Sequence, residues 1–201
     1  EPREQKSWHA SQLGGCLTGA YLVRAGIAKK EFDDRTLRVF AAGKMFEDWL
    51  IKLIAKRDEK FETQVRVEWI EMNLTGYADL TINGLVYEIK TMNSWGFKYL
   101  EKGGAKDQHK MQLWCYLKCL KKKEGRIIYL EKDTLSVMEF VVRITDPIEK
   151  KVIEELTILN RAWKEQLPPE PIRDLNDWRA KYCSVHQACL NQPKYLNGEK
   201  N

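Results

Sequence analysis

Three residues close together in the chain carry groups that suit hydrolysis: Asp79, Glu88 and Lys90. Between the acids lies Asn83-Gly84, the strongest short-range signal for a two-residue type I′ turn, because both central positions need positive φ. Such a turn pairs Ile82 with Leu85, Thr81 with Val86 and Leu80 with Tyr87, which sets Asp79 opposite Glu88. Their Cβ atoms should then lie roughly 4.5–5.5 Å apart on one face of a sheet. Lys90 projects from that same face, since strand side chains alternate. Two facing carboxylates repel, and a divalent cation relieves the repulsion. Mg²⁺ or Mn²⁺ prefers hard oxygen ligands, and an ion held beside a phosphate polarises it and acidifies a bound water. The adjacent Ile89 carbonyl offers a further oxygen, and Lys90 would orient or help deprotonate the water. The plainer alternative is an exposed strand pair in which Lys90 merely neutralises the acids.

The elements that would position these groups follow from the periodicity. A short helix capped by Ser11 is expected through Arg24, and a longer one over residues 35–56, where Phe40, Phe46, Trp49, Leu50 and Leu53 recur at helical spacing. Period-two runs then give strands at 61–70, 74–82 and 85–91. Residues 105–123 return to helix, with Met111, Trp114, Leu117 and Leu120 apolar, before strands at 126–131 and 136–144. Asp146 and Pro147 open another helix in favoured N-cap and N1 positions, and Pro168-Pro169 ends it. The simplest packing is an α/β fold with a central mixed sheet flanked by helices. A single domain over 1–201 is expected, with a catalytic core at about 35–166 and terminal segments at 1–34 and 170–201.

Composition agrees with a soluble globular protein: the 201 residues are 43% hydrophobic and 31% charged, with seven Trp. No apolar run approaches the ~18 residues of a membrane span, no signal-peptide pattern opens the sequence, and a cytoplasmic location is expected. The net charge is +5. Lys102, Lys106, Lys110, Lys118, Lys121, Lys122 and Lys123 crowd one stretch, which suits either a polyanionic partner or a solvated helix face.

The motifs together resemble those of the PD-(D/E)XK nucleases. Gly76-Tyr-Ala-Asp79 and Glu88-Ile-Lys90 are similar to their G-x-x-D and E-x-K motifs. Gly43-Lys-Met-Phe-Glu47 and Gln112-Leu-Trp-Cys-Tyr116 resemble the G-x-x-x-[HE] and Q-x-x-x-Y motifs of the RecB-like branch. The resemblance spans roughly Gly43 to Tyr116 and implies a restriction-endonuclease-like core. It also implies a Mg²⁺- or Mn²⁺-dependent deoxyribonuclease, an exonuclease on DNA ends in recombination, repair, phage replication or CRISPR-type processing, with a protein partner in such a complex. Glu47 would join the metal site, while Gln112, Tyr116 and Lys110 would contact DNA or brace the hairpin. A structure-specific endonuclease and a non-catalytic nucleic-acid-binding module are the alternatives.

Related CRISPR-associated and AddB-like exonucleases join an N-terminal cysteine to a C-terminal C-x2-C-x5-C group around a [4Fe-4S] cluster. Cys16, Cys183 and Cys189 match three of these positions, and Ala180 occupies the fourth. His186 between the last two would complete a Cys₃His set suited to Zn²⁺. An iron–sulfur cluster, zinc and no metal all remain open. Cys115 and Cys119, at i and i+4, are expected to be buried small hydrophobes.

Overall fold

The computed structural model describes residues 5–56, 60–174 and 176–191. The hairpin expected from Asn83-Gly84 is present: φ is +50° at Asn83 and +80° at Gly84, joining β3 (Leu74–Ile82) to β4 (Leu85–Met92). Its register is the expected one at Ile82↔Leu85, Thr81↔Val86 and Leu80↔Tyr87, where the backbone ladder ends. Strand β2 (Phe61–Trp69) runs antiparallel along the whole of β3, so β3 has only its other edge to offer. That edge is shared by β4 at one end and, in parallel, by β1 (Trp8–His9) at Leu74 and Thr75. β5 (Glu124–Glu131) pairs parallel with β4, and β6 (Val137–Arg143) pairs antiparallel with β5. The result is an α/β fold with one mixed sheet flanked by helices, as the periodicity implied.

Helix α2 (Asp34–Ala55) opens on an Asp33 cap whose Oδ1 accepts from the Thr36 N–H at 2.8 Å. Its second half lays Leu50 and Ile51 on Leu80, Ile82, Ile89, Ile128 and Leu130 to form one apolar layer. The larger layer covers the opposite side, where α4 (Asp107–Leu120) and α5 (Ile148–Glu165) bury Met111, Trp114, Leu117, Val152, Leu156 and Leu159. Burial at these two layers is the main source of stability, at about 25 cal/mol per Å² of apolar surface removed from water.

Four expectations are corrected. Ser11 caps nothing; it lies in a 3₁₀ turn, and α1 runs Leu17–Arg24 with the Cys16 Sγ accepting from the Gly19 N–H at 3.3 Å. Asp146 does not cap α5; its carboxylate accepts from the Arg143 N–H at 2.8 Å and Pro147 takes the N-cap place. Residues 94–103, left without structure by the periodicity, form α3 (Ser94–Gly103), because the Asn93 side chain accepts from the Gly96 N–H at 2.8 Å and Phe97 and Leu100 turn inward. The chain beyond Pro169 folds into the short helices α6 (Trp178–Lys181) and α7 (His186–Leu190), the latter packing on α1. Thr18 Oγ1 donates to the carbonyls of Pro169 and Glu170, so the two ends of the described chain do meet. None of the described helices is long and apolar enough to cross a membrane.

Candidate active site

The β3–β4 ladder stops one pair short of Asp79 and Glu88. Continued regularly, the next narrow pair would join the Ile89 N–H to the Ala78 carbonyl. Instead the Asp79 Oδ2 accepts from the Ile89 N–H at 2.8 Å. The side chain thus takes the place of a backbone acceptor where the strands part. A residue's N–H and C=O project from the same edge of a strand, so the Ile89 carbonyl also opens on this gap.

Glu88 faces away from α2, toward Tyr116 of α4, and is fully buried. Apart from the Lys90 ammonium, with which it pairs, neither of its carboxylate oxygens has a hydrogen-bond donor among the described residues. Burial, only partly offset by Lys90, pushes Glu88 up to about 8, and the neighbouring Asp79 charge adds to the rise. Asp79 is raised to about 6, again by burial first, with Lys90 and the Ile89 N–H opposing. Burial alone would depress Lys90, but the Glu88 and Asp79 carboxylates more than offset it and raise its pKa. Lys90 is therefore a fixed cation at neutral pH rather than a ready base. Behind it, His109 Nδ1 meets the Tyr129 hydroxyl at 2.7 Å. Burial and the Lys90 charge lower that imidazole to about 3, which keeps it neutral.

Glu47 on α2 lies near enough for its charge to raise both Asp79 and Glu88. Lys44 holds Glu47 at 2.7 Å, and the Gln64 amide approaches the same oxygen at 3.5 Å. Gly43 allows this: a Cβ there would lie 3.2 Å from Thr91 Oγ1, so the helix backbone sits close over β4.

Of the helix motif, Gln112 and Tyr116 come to the site and Lys110 does not. The Gln112 Nε2 donates to the Tyr116 hydroxyl at 2.8 Å, and both side chains are buried, with little surface to offer a strand of DNA. Gly76 receives Tyr116: a Cβ at Gly76 would be 2.6 Å from the Tyr116 ring. Lys110 is engaged with Asp107 at 2.6 Å. Gln64 and Lys44 were not foreseen. Gln64 sits in mid-strand with φ +52°, a conformation that favours glycine, and nothing in its neighbours signals it.

As placed, no three His, Cys, Asp or Glu side chains among the described residues converge as a metal-binding group. The donor set at the hairpin nevertheless fits Mg²⁺ or Mn²⁺. Such ions need only one or two protein carboxylates beside water and phosphate oxygens, and Glu88 is a buried carboxyl group with unused lone pairs that an ion could take in place of a proton. At the start of α1, Cys16 and Cys183 share a hydrogen bond that, against burial, lowers Cys16 to about 6. Cys189 is buried close enough to feel the Cys16 charge, and the His186 Nε2 is buried with no hydrogen-bond partner among the described residues. Ala180, where the resemblance would place a fourth thiol, puts a buried methyl. Cys115 is a buried core residue with its thiol pKa raised by burial, as expected.

No family model and no curated protein matches the chain at a significant level. Solved structures do. The crystal structure of SSO0001 is similar at TM-score 0.60 and 20% identity, over 98% of this chain and 90% of that one. An alkaline exonuclease, LHK-Exo from Laribacter hongkongensis, is similar at TM-score 0.63 and 12% identity, over 81% and 90% of the two chains. A phage-related exonuclease from Haemophilus somnus 129PT gives TM-score 0.53 and 11% identity, over 75% and 80%. At these identities the likeness is one of fold.

Proposed function

We propose that the chain is a metal-dependent deoxyribonuclease of the PD-(D/E)XK class, on its RecB-like branch, that degrades DNA from its ends. The observation that carries this reading is Glu88: a fully buried carboxylate whose oxygens lack donors apart from Lys90, set beside Asp79 where the hairpin opens. An uncompensated buried carboxylate is costly, and structures keep such groups where a bound ion or substrate repays the cost. The exonuclease folds that resemble this one support the substrate class.

Asp79, Glu88 and the Ile89 carbonyl would hold Mg²⁺ or Mn²⁺, with Glu47 reaching it from α2. The ion supplies Lewis acidity toward the phosphate and an acidified water. Lys90, kept protonated by its two carboxylates, positions that water through a hydrogen bond and offsets charge that builds on the phosphate. Asp79 is held in place by the Ile89 N–H, and Tyr116, locked by Gln112, shields the Glu88 side of the site from water.

We further propose that Cys16, Cys183, Cys189 and His186, which as placed do not converge as a metal-binding group, are drawn together by a structural metal, iron–sulfur or zinc, that fastens the C-terminal helices to α1. The orphaned His186 nitrogen and the close approach of Gly19 to both thiols support it: a Cβ on Gly19 would stand 2.9 Å from Cys183 Sγ and 3.6 Å from Cys16 Sγ. Iron and zinc analysis with absorbance near 400 nm on anaerobically prepared protein tests this, and a folded, metal-free, colourless protein overturns it.

The nuclease reading is tested with end-labelled single- and double-stranded DNA and with closed circles, in Mg²⁺, Mn²⁺ or EDTA. Metal-dependent loss of linear DNA that spares circles and disappears in Glu88→Ala and Lys90→Ala is expected. DNA binding without cleavage under any metal would mark a binding module instead.

A further inference from the structure

We infer that the groove between α2 and the outer strand β2 is a seat for unpaired DNA, carrying a single strand away from the catalytic carboxylates. The inference rests on the nuclease reading and names the form of substrate its site receives.

The groove is open, with a volume of about 710 Å³. Lys44, Asp48, Lys52 and Lys56 line it at intervals of four on α2, so they form one stripe along the helix. From Lys44 to Lys56 that stripe is about 18 Å long, room for several nucleotides. Its inner end adjoins the candidate active site, because Lys44 and Gln64, both in the lining, bond to Glu47. Lys44 is also paired with Asp48 at 3.0 Å. Among the described residues neither Lys52 nor Lys56 has an ion pair, which leaves two free cations for phosphates.

Two exposed rings share the groove lining with this lysine stripe. Trp49 is 41% exposed and Phe61, across the groove on β2, is 44% exposed. Aromatic faces flanked by lysines are how proteins hold single strands: bases stack on the rings and the backbone follows the charge. In a duplex the base faces are already stacked on one another, so these rings favour an unpaired strand. The competing occupant is a peptide strand added to the outer edge of β2, which has no strand partner there among the described residues.

The test measures binding of a fluorescent oligothymidylate and of a blunt duplex by anisotropy in EDTA, with Mn²⁺-dependent cleavage of the oligothymidylate followed in parallel. Trp49→Ala and the pair Lys52→Gln/Lys56→Gln should each weaken single-strand binding at least tenfold while blunt-duplex binding changes less than threefold. The lysine pair should also flatten the dependence of log affinity on log salt by about 1.4, since each single-strand phosphate contact contributes about 0.7. Trp49→Phe and Lys52→Arg/Lys56→Arg, which keep ring and charge, should restore most of the affinity and guard against simple misfolding. If the parent protein cleaves DNA but single-strand binding and its salt slope are unchanged in the variants, the groove serves another occupant and the inference falls while the nuclease reading stands. If the parent neither binds nor cleaves, both fall together.

Discussion

The Ile89 N–H donates to the Asp79 carboxylate at 2.8 Å, at the point where a backbone carbonyl of β3 would otherwise have received it. The acid proposed for the metal site is thus also the hydrogen-bond partner at the point where the hairpin opens. Asp79→Asn keeps an acceptor oxygen for Ile89 and removes the charge. Its thermal midpoint should stay within a few degrees of the parent while metal-dependent cleavage falls by a factor of 10³ or more. Asp79→Ala orphans a buried N–H and should cost about 1–3 kcal/mol by urea denaturation as well. Equal activity in Asp79→Asn and the parent would remove Asp79 from the metal site.

Glu88 ties stability to pH in the opposite sense to a salt-bridged surface acid. Its folded-state pKa, about 8, lies above the ordinary 4.5 because burial favours the neutral acid. The stabilisation this gives is complete below about 4.5 and is lost as pH climbs through about 8. Asp79, raised from 3.8 to about 6, adds a smaller loss at lower pH. In EDTA the melting temperature should therefore fall between pH 5 and 8, by an amount equivalent to a few kcal/mol. Glu88→Gln should flatten most of that fall. Mg²⁺ or Mn²⁺ should raise the midpoint of the parent at pH 8 and leave Glu88→Gln unmoved. Because the ion must displace protons, its apparent affinity should strengthen from pH 6 to pH 8. A melting temperature insensitive to pH in the parent and to metal at pH 8 would contradict the assignment.

The hairpin and its acids were legible in the sequence because their cause is local: Asn83-Gly84 fixes a register, and a register fixes which side chains share a face. Periodicity likewise placed α2, α4 and α5, whose apolar stripes are long. What escaped it depends on contacts remote in sequence. α3 is short, and its start is marked only by the Asn93 cap. Gln64 acquires its meaning from Glu47, and its left-handed backbone leaves no trace in residue type. The burial of Gln112 and Tyr116, which favours bracing over DNA contact, goes with Gly76 lying beneath the Tyr116 ring. That pairing is set by tertiary structure alone. Lys110 was read from its place in a lysine-rich run, where the local partner Asp107 claims it.

Arg24 shows how far such distant contacts reach. It is buried between two indoles, with its guanidinium carbon 4.2 Å from the Trp8 ring centre and 4.1 Å from that of Trp163. Its Nη2 donates to the Lys6 carbonyl at 2.5 Å, and Trp8 Nε1 in turn donates to Asn160 Oδ1 at 2.9 Å. This stack fastens β1 and α1 to α5. Arg24→Ala should cost about 2–4 kcal/mol in urea denaturation, from lost stacking and an orphaned carbonyl. Arg24→Lys should recover less than half, since an ammonium cannot lie flat between two rings. Full recovery by lysine would show that charge alone matters there.

Gly76 and Tyr116 give the sharpest test of the bracing role. A Cβ at Gly76 would stand 2.6 Å from the Tyr116 ring, closer than packed atoms tolerate, so Gly76→Ala must push the ring and with it the Gln112 amide. The expected cost is about 1–3 kcal/mol, the usual range for overpacking a filled core. Cleavage should fall in step, because the displaced ring no longer closes the site beside Glu88. Tyr116→Leu alone leaves a void and an unpaired Gln112, and should be destabilising too. Combined, the two changes relieve each other: the double variant should be more stable than the sum of the single losses by about 1 kcal/mol or more, a coupling that a double-mutant cycle reads directly. Simple additivity would mean that the ring and the glycine do not meet in solution, and the brace on the catalytic hairpin would have to be sought elsewhere on α4.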